Sequence, residues 1–187
     1  PNKTVVHKYL DKLSDAAEMC GAVNTIVNDN GVLTGHITDG IGYMSGLKDA
    51  GIDIIGKKMT IVGAGGAATA IQVQAALDGV KEISIFNRKD AFYERAQKTV
   101  KDINEKTNCK ATLYDLDDLD KLKEEIANQG GTATNNEFPL SVTIDGKTFT
   151  VANTGVVTAT GSSTTNPNPP ASTDTLKASD IAAKTDK

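Results

Sequence analysis

One stretch constrains this chain more than any other: residues 59–70, Met-Thr-Ile-Val-Gly-Ala-Gly-Gly-Ala-Ala-Thr-Ala. An apolar β-type run passes straight into glycines, and the glycines pass into an alanine-rich helical pattern. A dinucleotide-binding turn requires that order. Gly63 lets the strand turn sharply. Gly65 lacks a Cβ, so a pyrophosphate can approach the backbone. Ala68 takes the third small position, where the new helix packs close to the strand. The unpaired N–H groups at the helix start, with the helix dipole, then hold phosphate charge. Gly63, Ala64, Gly65, Gly66 and Ala67 are the candidate phosphate residues.

The context strengthens the motif. A second strand follows at Glu82–Asn87, and Asp90 lies just beyond it, 24 residues after Gly66. That is close to the ~20-residue spacing of the acid that binds a ribose hydroxyl. An acid there accepts from a 2′-OH and repels a 2′-phosphate, which points to NAD. Arg88 and Lys89 leave NADP as the alternative. Asp90 is also placed to cap the helix that follows.

The rest of residues 1–127 reads as alternating helices and strands. An amphipathic helix is expected over 1–13, from Val5, Val6, Tyr9, Leu10 and Leu13. Ser14 is placed to cap a short helix that Gly21 ends. A strand at 22–27, an Asn30-Gly31 hairpin turn and a returning strand at 32–38 come next. A helix then runs from Asp39 to about Ala50. After the glycine turn come a helix at 69–77, the strand at 82–87, and a helix at 90–106 with Phe92, Ala96, Val100 and Ile103 inward. A strand at 110–114 and a helix at 119–127 complete the series. This β-α-β-α-β-α order predicts a Rossmann-like parallel sheet with right-handed crossovers, α/β in class and only partly doubly wound. Only one mononucleotide-binding half is present, with an exposed sheet edge and an uncovered apolar face. Homodimerisation is one remedy for that exposure.

Composition shifts near 128–136. Four of the five prolines lie beyond that point, in sequence rich in Thr, Ser, Asn and Gly. Residues 140–144 and 147–151 alternate around Asp145-Gly146 and read as a β-hairpin. Residues 161–172 read as a disordered linker, and 174–187 as a frayed helix. Three segments result: 1–56, the end of a substrate-side domain with its connecting helix; 57–127, the nucleotide-binding half; and 128–187, an unrelated tail.

The formal net charge of -4 argues against nucleic acid as the main partner. No apolar run reaches membrane-spanning length and no signal-peptide pattern opens the chain, so the expected location is cytoplasmic. Cys20 and Cys109 have no metal-ligand spacing and read as reduced thiols; no metal site is expected. The acids at 115, 117, 118 and 120 lack the glycine and terminal Glu of a calcium loop and read as a solvated helix start. A first residue of Pro rather than Met reads as a fragment.

Several separated blocks resemble the shikimate/quinate dehydrogenases, over about the first 127 residues. Pro1-Asn2-Lys3 resembles the end of that family's substrate-side lysine motif. Gly21-Ala22-Val23-Asn24-Thr25 matches its G-A-x-N-T block. Gly35-His36-Ile37-Thr38-Asp39-Gly40 matches its G-x-N-T-D-G block, with Ile37 where Asn is usual. Gly63 to Ala68 match the cofactor turn, and Asn87-Arg88 the N-R block. The resemblance implies Lys3 as catalytic lysine, Asp39 as its carboxylate partner, and Asn24 as a donor or acceptor to substrate hydroxyls. It implies reversible hydride transfer between a nicotinamide and a ring hydroxyl of shikimate or quinate. It also implies Asn87, Arg88 and Asp90 at the cofactor, in the manner of the branch that can use NAD. Taken without the resemblance, Lys3 reads as a solvated helix-start lysine, Asp39 as a helix N-cap, and Asn24 as a polar strand or hairpin residue. The family's upstream serine loop precedes Pro1, and its later glycine and glutamine features do not follow Ala127. The chain therefore reads as truncated or chimeric, with a non-catalytic nucleotide-binding remnant as the alternative.

Overall fold

A computed structural model of the chain describes residues 3–144, 147–152 and 157–160. The Asp145-Gly146 turn, the linker at 161–172, the helix at 174–187 and the first two residues of the lysine motif lie outside the described residues.

The nucleotide-binding half forms as its periodicity predicts. Strands β4 (Lys58–Val62), β5 (Glu82–Asn87) and β6 (Lys110–Asp115) make a three-stranded parallel sheet in the order β4-β5-β6. Helices α3 (Gly66–Asp78) and α4 (Tyr93–Lys106) are the crossovers. Successive side chains of a strand point to opposite faces. Ile83 and Ile85 of β5 are buried on the face covered by Val73 and Ala76 of α3 and by Ala96 and Ile103 of α4. Ser84 and Phe86 point the other way.

The preceding elements share that first core. Helix α1 (Asp15–Cys20) is capped by Ser14, whose Oγ accepts the Ala17 N–H at 3.3 Å. Strands β1 (Lys12–Leu13), β2 (Thr25–Asp29) and β3 (Val32–His36) form a second sheet in the order β1-β3-β2. The Asn30-Gly31 turn joins β2 to β3, with φ of 50° and 93° at its two residues. Positive φ at both positions is why Asn-Gly is favoured there. Helix α2 (Asp39–Asp49) follows β3 and packs on α3. Ala16, Met19, Val23 and Ile37 join Val73 and Ile85 in one continuous cluster.

Two expectations for this region are corrected. Residues 1–13 are not an amphipathic helix: the described part holds only a single 3₁₀ turn, Val6–Tyr9, before β1. Long-range pairing overrides the local pattern. Lys12 and Leu13 pair in parallel with Thr34 and Gly35, and the Asp11 carboxylate accepts the Leu33 N–H at 2.7 Å. Helix α4 starts at Tyr93 rather than Asp90, and Phe92 is exposed; Thr99 takes a buried place on the inward face.

The uncovered apolar face is also corrected. Helix α5 (Leu119–Ala127) and the tail cover it. Strands β7 (Thr132–Ala133), β8 (Leu140–Ile144), β9 (Lys147–Val151) and β10 (Val157–Thr160) form an antiparallel sheet in the order β10-β9-β8-β7. Leu140, Val142 and Val151 of that sheet are buried with Phe86, Leu116, Leu122 and Ile126. Burying each such side chain stabilises the docked tail by about 2 kcal/mol. The sheet edge stays open: among the described residues, β4 pairs with β5 alone.

Candidate functional site

The glycine turn sits at the carboxyl end of β4, where ligands bind open α/β sheets. Gly63 has φ of +102°, a conformation that disfavours any side chain, and its N–H donates to the Phe86 carbonyl at 2.7 Å. The chain then enters α3 with Gly65 at the N-cap and no side-chain cap. The first N–H groups of α3 have no carbonyl one turn back to bond. A Cβ added at Gly65 or Gly66 would meet open space. A bare, uncapped helix start of this kind fits a phosphate group.

Asn87 fixes the turn from below. Its Oδ1 accepts the Ala64 N–H at 3.0 Å, and its amide donates to the Arg88 carbonyl at 2.7 Å and to Asp90 at 3.3 Å. The Ala64 N–H is thereby committed inside the protein, and Ala64 is buried. Gln72 Nε2 donates to the Gly63 carbonyl at 3.0 Å, and Thr69 bonds the Ala64 carbonyl. Neither Gln72 nor Thr69 was singled out in the sequence, although both lie one to two turns along α3 from the glycines. Asn87→Ala is expected to lower stability by about 2 kcal/mol, because the buried Ala64 N–H loses its acceptor. Urea unfolding of the variant measures it.

Asp90 stands beyond β5 with its Oδ1 accepting the Phe92 N–H at 2.9 Å and its Oδ2 3.6 Å from the Arg88 guanidinium. Lys89 reaches the other way, to Asp115 at the end of β6, at 2.7 Å. Both basic residues beside the turn therefore face a carboxylate.

The second group of residues assembles from three places in the chain. The Lys3 carbonyl accepts the Val23 N–H at 2.8 Å, which sets Lys3 beside Asn24. Asn24 Oδ1 accepts from the backbone N–H of Thr38 at 3.1 Å and from its hydroxyl at 3.2 Å. That bond anchors the start of α2. Lys3 Nζ then donates to Asp39 Oδ2 at 3.0 Å. The two side chains are 54% and 42% exposed, so a solute has access to the pair. Asp39 is not the N-cap: Thr38 holds that position, and Asp39 opens the helix with its carboxylate turned to Lys3.

Gly40 ties this group to the glycine turn. A Cβ there would lie 2.3 Å from the Ala70 carbonyl oxygen and 2.6 Å from Gln74 Cβ. Backbone contact at that point seats the start of α2 directly on α3, the helix that begins at the turn. His7 is exposed and His36 half-buried on β3. Burial pushes the Cys20 and Cys109 thiols up to about 11, so both stay protonated and unreactive near neutrality. Asp118 caps α5 by accepting the Lys121 N–H, and the described residues hold no cluster of metal-ligating side chains. No described helix is long and apolar enough to cross a membrane.

A parallel βαβ sheet with a bare glycine turn at its carboxyl edge defines a Rossmann-like fold. The comparisons with known proteins sharpen the class. No family model matches the chain. Shikimate dehydrogenases (NADP(+)) from Listeria innocua and Listeria monocytogenes are 76% and 75% identical to it over 127 residues, which is 68% of this chain and 44% of theirs. The crystal structure of shikimate 5-dehydrogenase from Listeria monocytogenes in complex with shikimate and NAD matches with a TM-score of 0.66 at 75% identity, covering 68% of this chain and 44% of that one. Quinate dehydrogenase from Corynebacterium glutamicum in complex with NAD matches with a TM-score of 0.53 at 28% identity, over 65% and 43%. Over the matched segment the chain is a homologue of the shikimate/quinate dehydrogenases. It spans less than half the length of the relatives it matches.

Proposed function

We propose that residues 1–56 and 57–127 are the adjoining substrate-side and nucleotide-binding parts of an NAD(P)-dependent dehydrogenase that acts on a ring hydroxyl of shikimate or quinate, and that residues 128–187 are a separate tail. The observation that carries this is the 3.0 Å contact of Lys3 with Asp39, formed across 36 positions of sequence beside Asn24 and keyed to the glycine-turn helix through Gly40.

The residues fit the group they would hold. The N–H groups at Gly65, Gly66 and Ala67 would take the pyrophosphate, with Gly63, Ala64 and Asn87 shaping the turn. Asp90 would accept from the adenosine ribose, beside Arg88. The nicotinamide, when bound, supplies the hydride acceptor. Lys3 would exchange the proton of the reacting hydroxyl, and Asp39 would orient both the ammonium and the substrate. Asn24 would hydrogen-bond a neighbouring hydroxyl through its amide, since its Oδ1 is occupied by Thr38. Asp90 favours NAD over NADP, with Arg88 the residue that could receive a 2′-phosphate.

Calorimetric titration of the chain with NAD, followed by turnover assays on shikimate and quinate with NAD and NADP, tests this. Binding with reduction of either cofactor supports the dehydrogenase, and Lys3→Met should then lower kcat by about 100-fold or more, the scale of general acid–base catalysis. A second reading has its own observation: among the described residues the β4 edge has no partner beyond β5, so the sheet that would complete the nicotinamide side is not formed. NAD binding without turnover selects that reading, a nucleotide-binding remnant. A concentration-dependent mass in sedimentation would add a homodimer closing the open edge.

A further inference from the structure

We propose that Asp115 is a specificity-determining residue: by holding Lys89 at the end of β6, it withholds the cation that would otherwise meet a 2′-phosphate, and so turns the adenosine end of the site toward NAD. This rests on the dinucleotide reading above and deepens it.

The placement follows from the sheet. Asn87 and Asp115 are register partners at the carboxyl ends of β5 and β6, so the two strands deliver their following residues side by side. Lys89, two residues past Asn87, spans to Asp115 Oδ2 at 2.7 Å. Asp115 is itself held: its Oδ1 accepts the Asp117 N–H at 3.1 Å. The Lys89 side chain is 68% exposed and that of Asp115 25%, so the carboxylate is the more enclosed partner and the lysine the more solvent-exposed one. The hydrogen bond from Lys89, joined by the one from the Asp117 N–H, holds the Asp115 carboxyl below the usual range, so it is ionised at neutral pH.

The charges around the position are Arg88 and Lys89 against Asp90, Asp115 and Asp117. Arg88 already faces Asp90 at 3.6 Å. With Lys89 on Asp115, neither cation is uncommitted, and a 2′-phosphate arriving there meets carboxylates. A ribose 2′-OH meets an acceptor instead. Asp115 thus acts on cofactor choice without touching the cofactor, by positioning Lys89.

The test is a double-mutant cycle read by calorimetry on the whole chain, with NAD and NADP as titrants. Asp115→Asn keeps an oxygen for the Asp117 N–H and releases Lys89. The expected result is NADP binding tightened about tenfold, with NAD unchanged within about twofold, and a gain that shrinks at high salt. In Asp115→Asn/Lys89→Ala the gain should vanish, while Lys89→Ala alone should leave NADP affinity unchanged. NAD binding with no tightening of NADP in Asp115→Asn overturns the role of Asp115 and leaves the dinucleotide reading intact. A gain that survives without Lys89 also overturns it, since charge removal alone would then account for the change. Failure of the unmutated chain to bind NAD overturns both.

Discussion

Replacing Gly40 by Ala is expected to destabilise the fold by about 3 kcal/mol and lower Tm by about 10 °C. The new Cβ would sit 2.3 Å from the Ala70 carbonyl oxygen, a backbone atom of α3 that cannot move without breaking the helix. Helix α2 must therefore shift away from α3, and Asp39, its first residue, shifts with it. The 3.0 Å contact to Lys3 lengthens as a result. Gly46, one and a half turns further along α2, is the internal control. A Cβ there meets nothing, so Gly46→Ala should raise stability by about 0.5–1 kcal/mol through helix propensity alone. Opposite signs from two glycines of one helix separate the docking contact from propensity. Thermal unfolding followed by circular dichroism reads both; two destabilisations of similar size would mean that α2 is not seated as described.

The elements governed by local rules were legible in the sequence. The β4–turn–α3 unit follows from glycine positions and an apolar run. The Ser14 cap, the Asn30-Gly31 turn and the 140–151 hairpin each follow from residues within a few positions of one another. What failed depends on distant partners. Lys12 and Leu13 became strand because β3, more than twenty residues away, offers them a ladder. Phe92 satisfied the helical period but lies before the helix starts, so its period had no helix to sit on. The face of Phe86 that the tail buries was not legible either, because nothing in the tail's pattern names it. In the candidate site, the glycine turn could be read from spacing. The meeting of Lys3, Asn24 and Asp39 could not: residues 3, 24 and 39 share no periodicity, and only the block resemblance brought them together. The Asn87 bond to the Ala64 N–H is of the same kind, a contact between two strand ends that a linear pattern does not encode.

The buried end of the sheet carries the other large effect. Glu125 of α5 is 2% exposed and takes Lys58 Nζ at 2.6 Å, Lys121 Nζ at 3.2 Å and the Ser84 hydroxyl at 3.0 Å. The bonds to Lys58 and Ser84 fasten α5 across β4 and β5 on the face opposite α3, the bond to Lys121 lies within α5 itself, and the Gln129 amide adds a bond to Thr60. Burial pushes the Glu125 carboxyl up, but the hydrogen bonds from Lys58, Lys121 and Ser84 outweigh it and hold the group below the ordinary glutamate value. Glu125→Gln keeps the volume and removes the charge, leaving Lys58 and Lys121 facing a neutral amide. The expected loss is about 2 kcal/mol near pH 7, the scale of a hydrogen bond to a charged group; the partial exposure of both lysines keeps it under the cost of a fully buried broken pair. The sign of its pH dependence follows from the depressed value. In the unfolded chain the carboxyl takes its proton at the ordinary value, and in the folded chain only at lower pH. The stability it contributes is therefore complete above the ordinary range and is lost as pH falls through the folded value. Urea midpoints measured from neutral to strongly acidic pH should fall more steeply for the unmutated chain than for Glu125→Gln, and the two curves should converge at the acid end. Parallel curves would show that the charge of Glu125 does not hold α5 to the sheet.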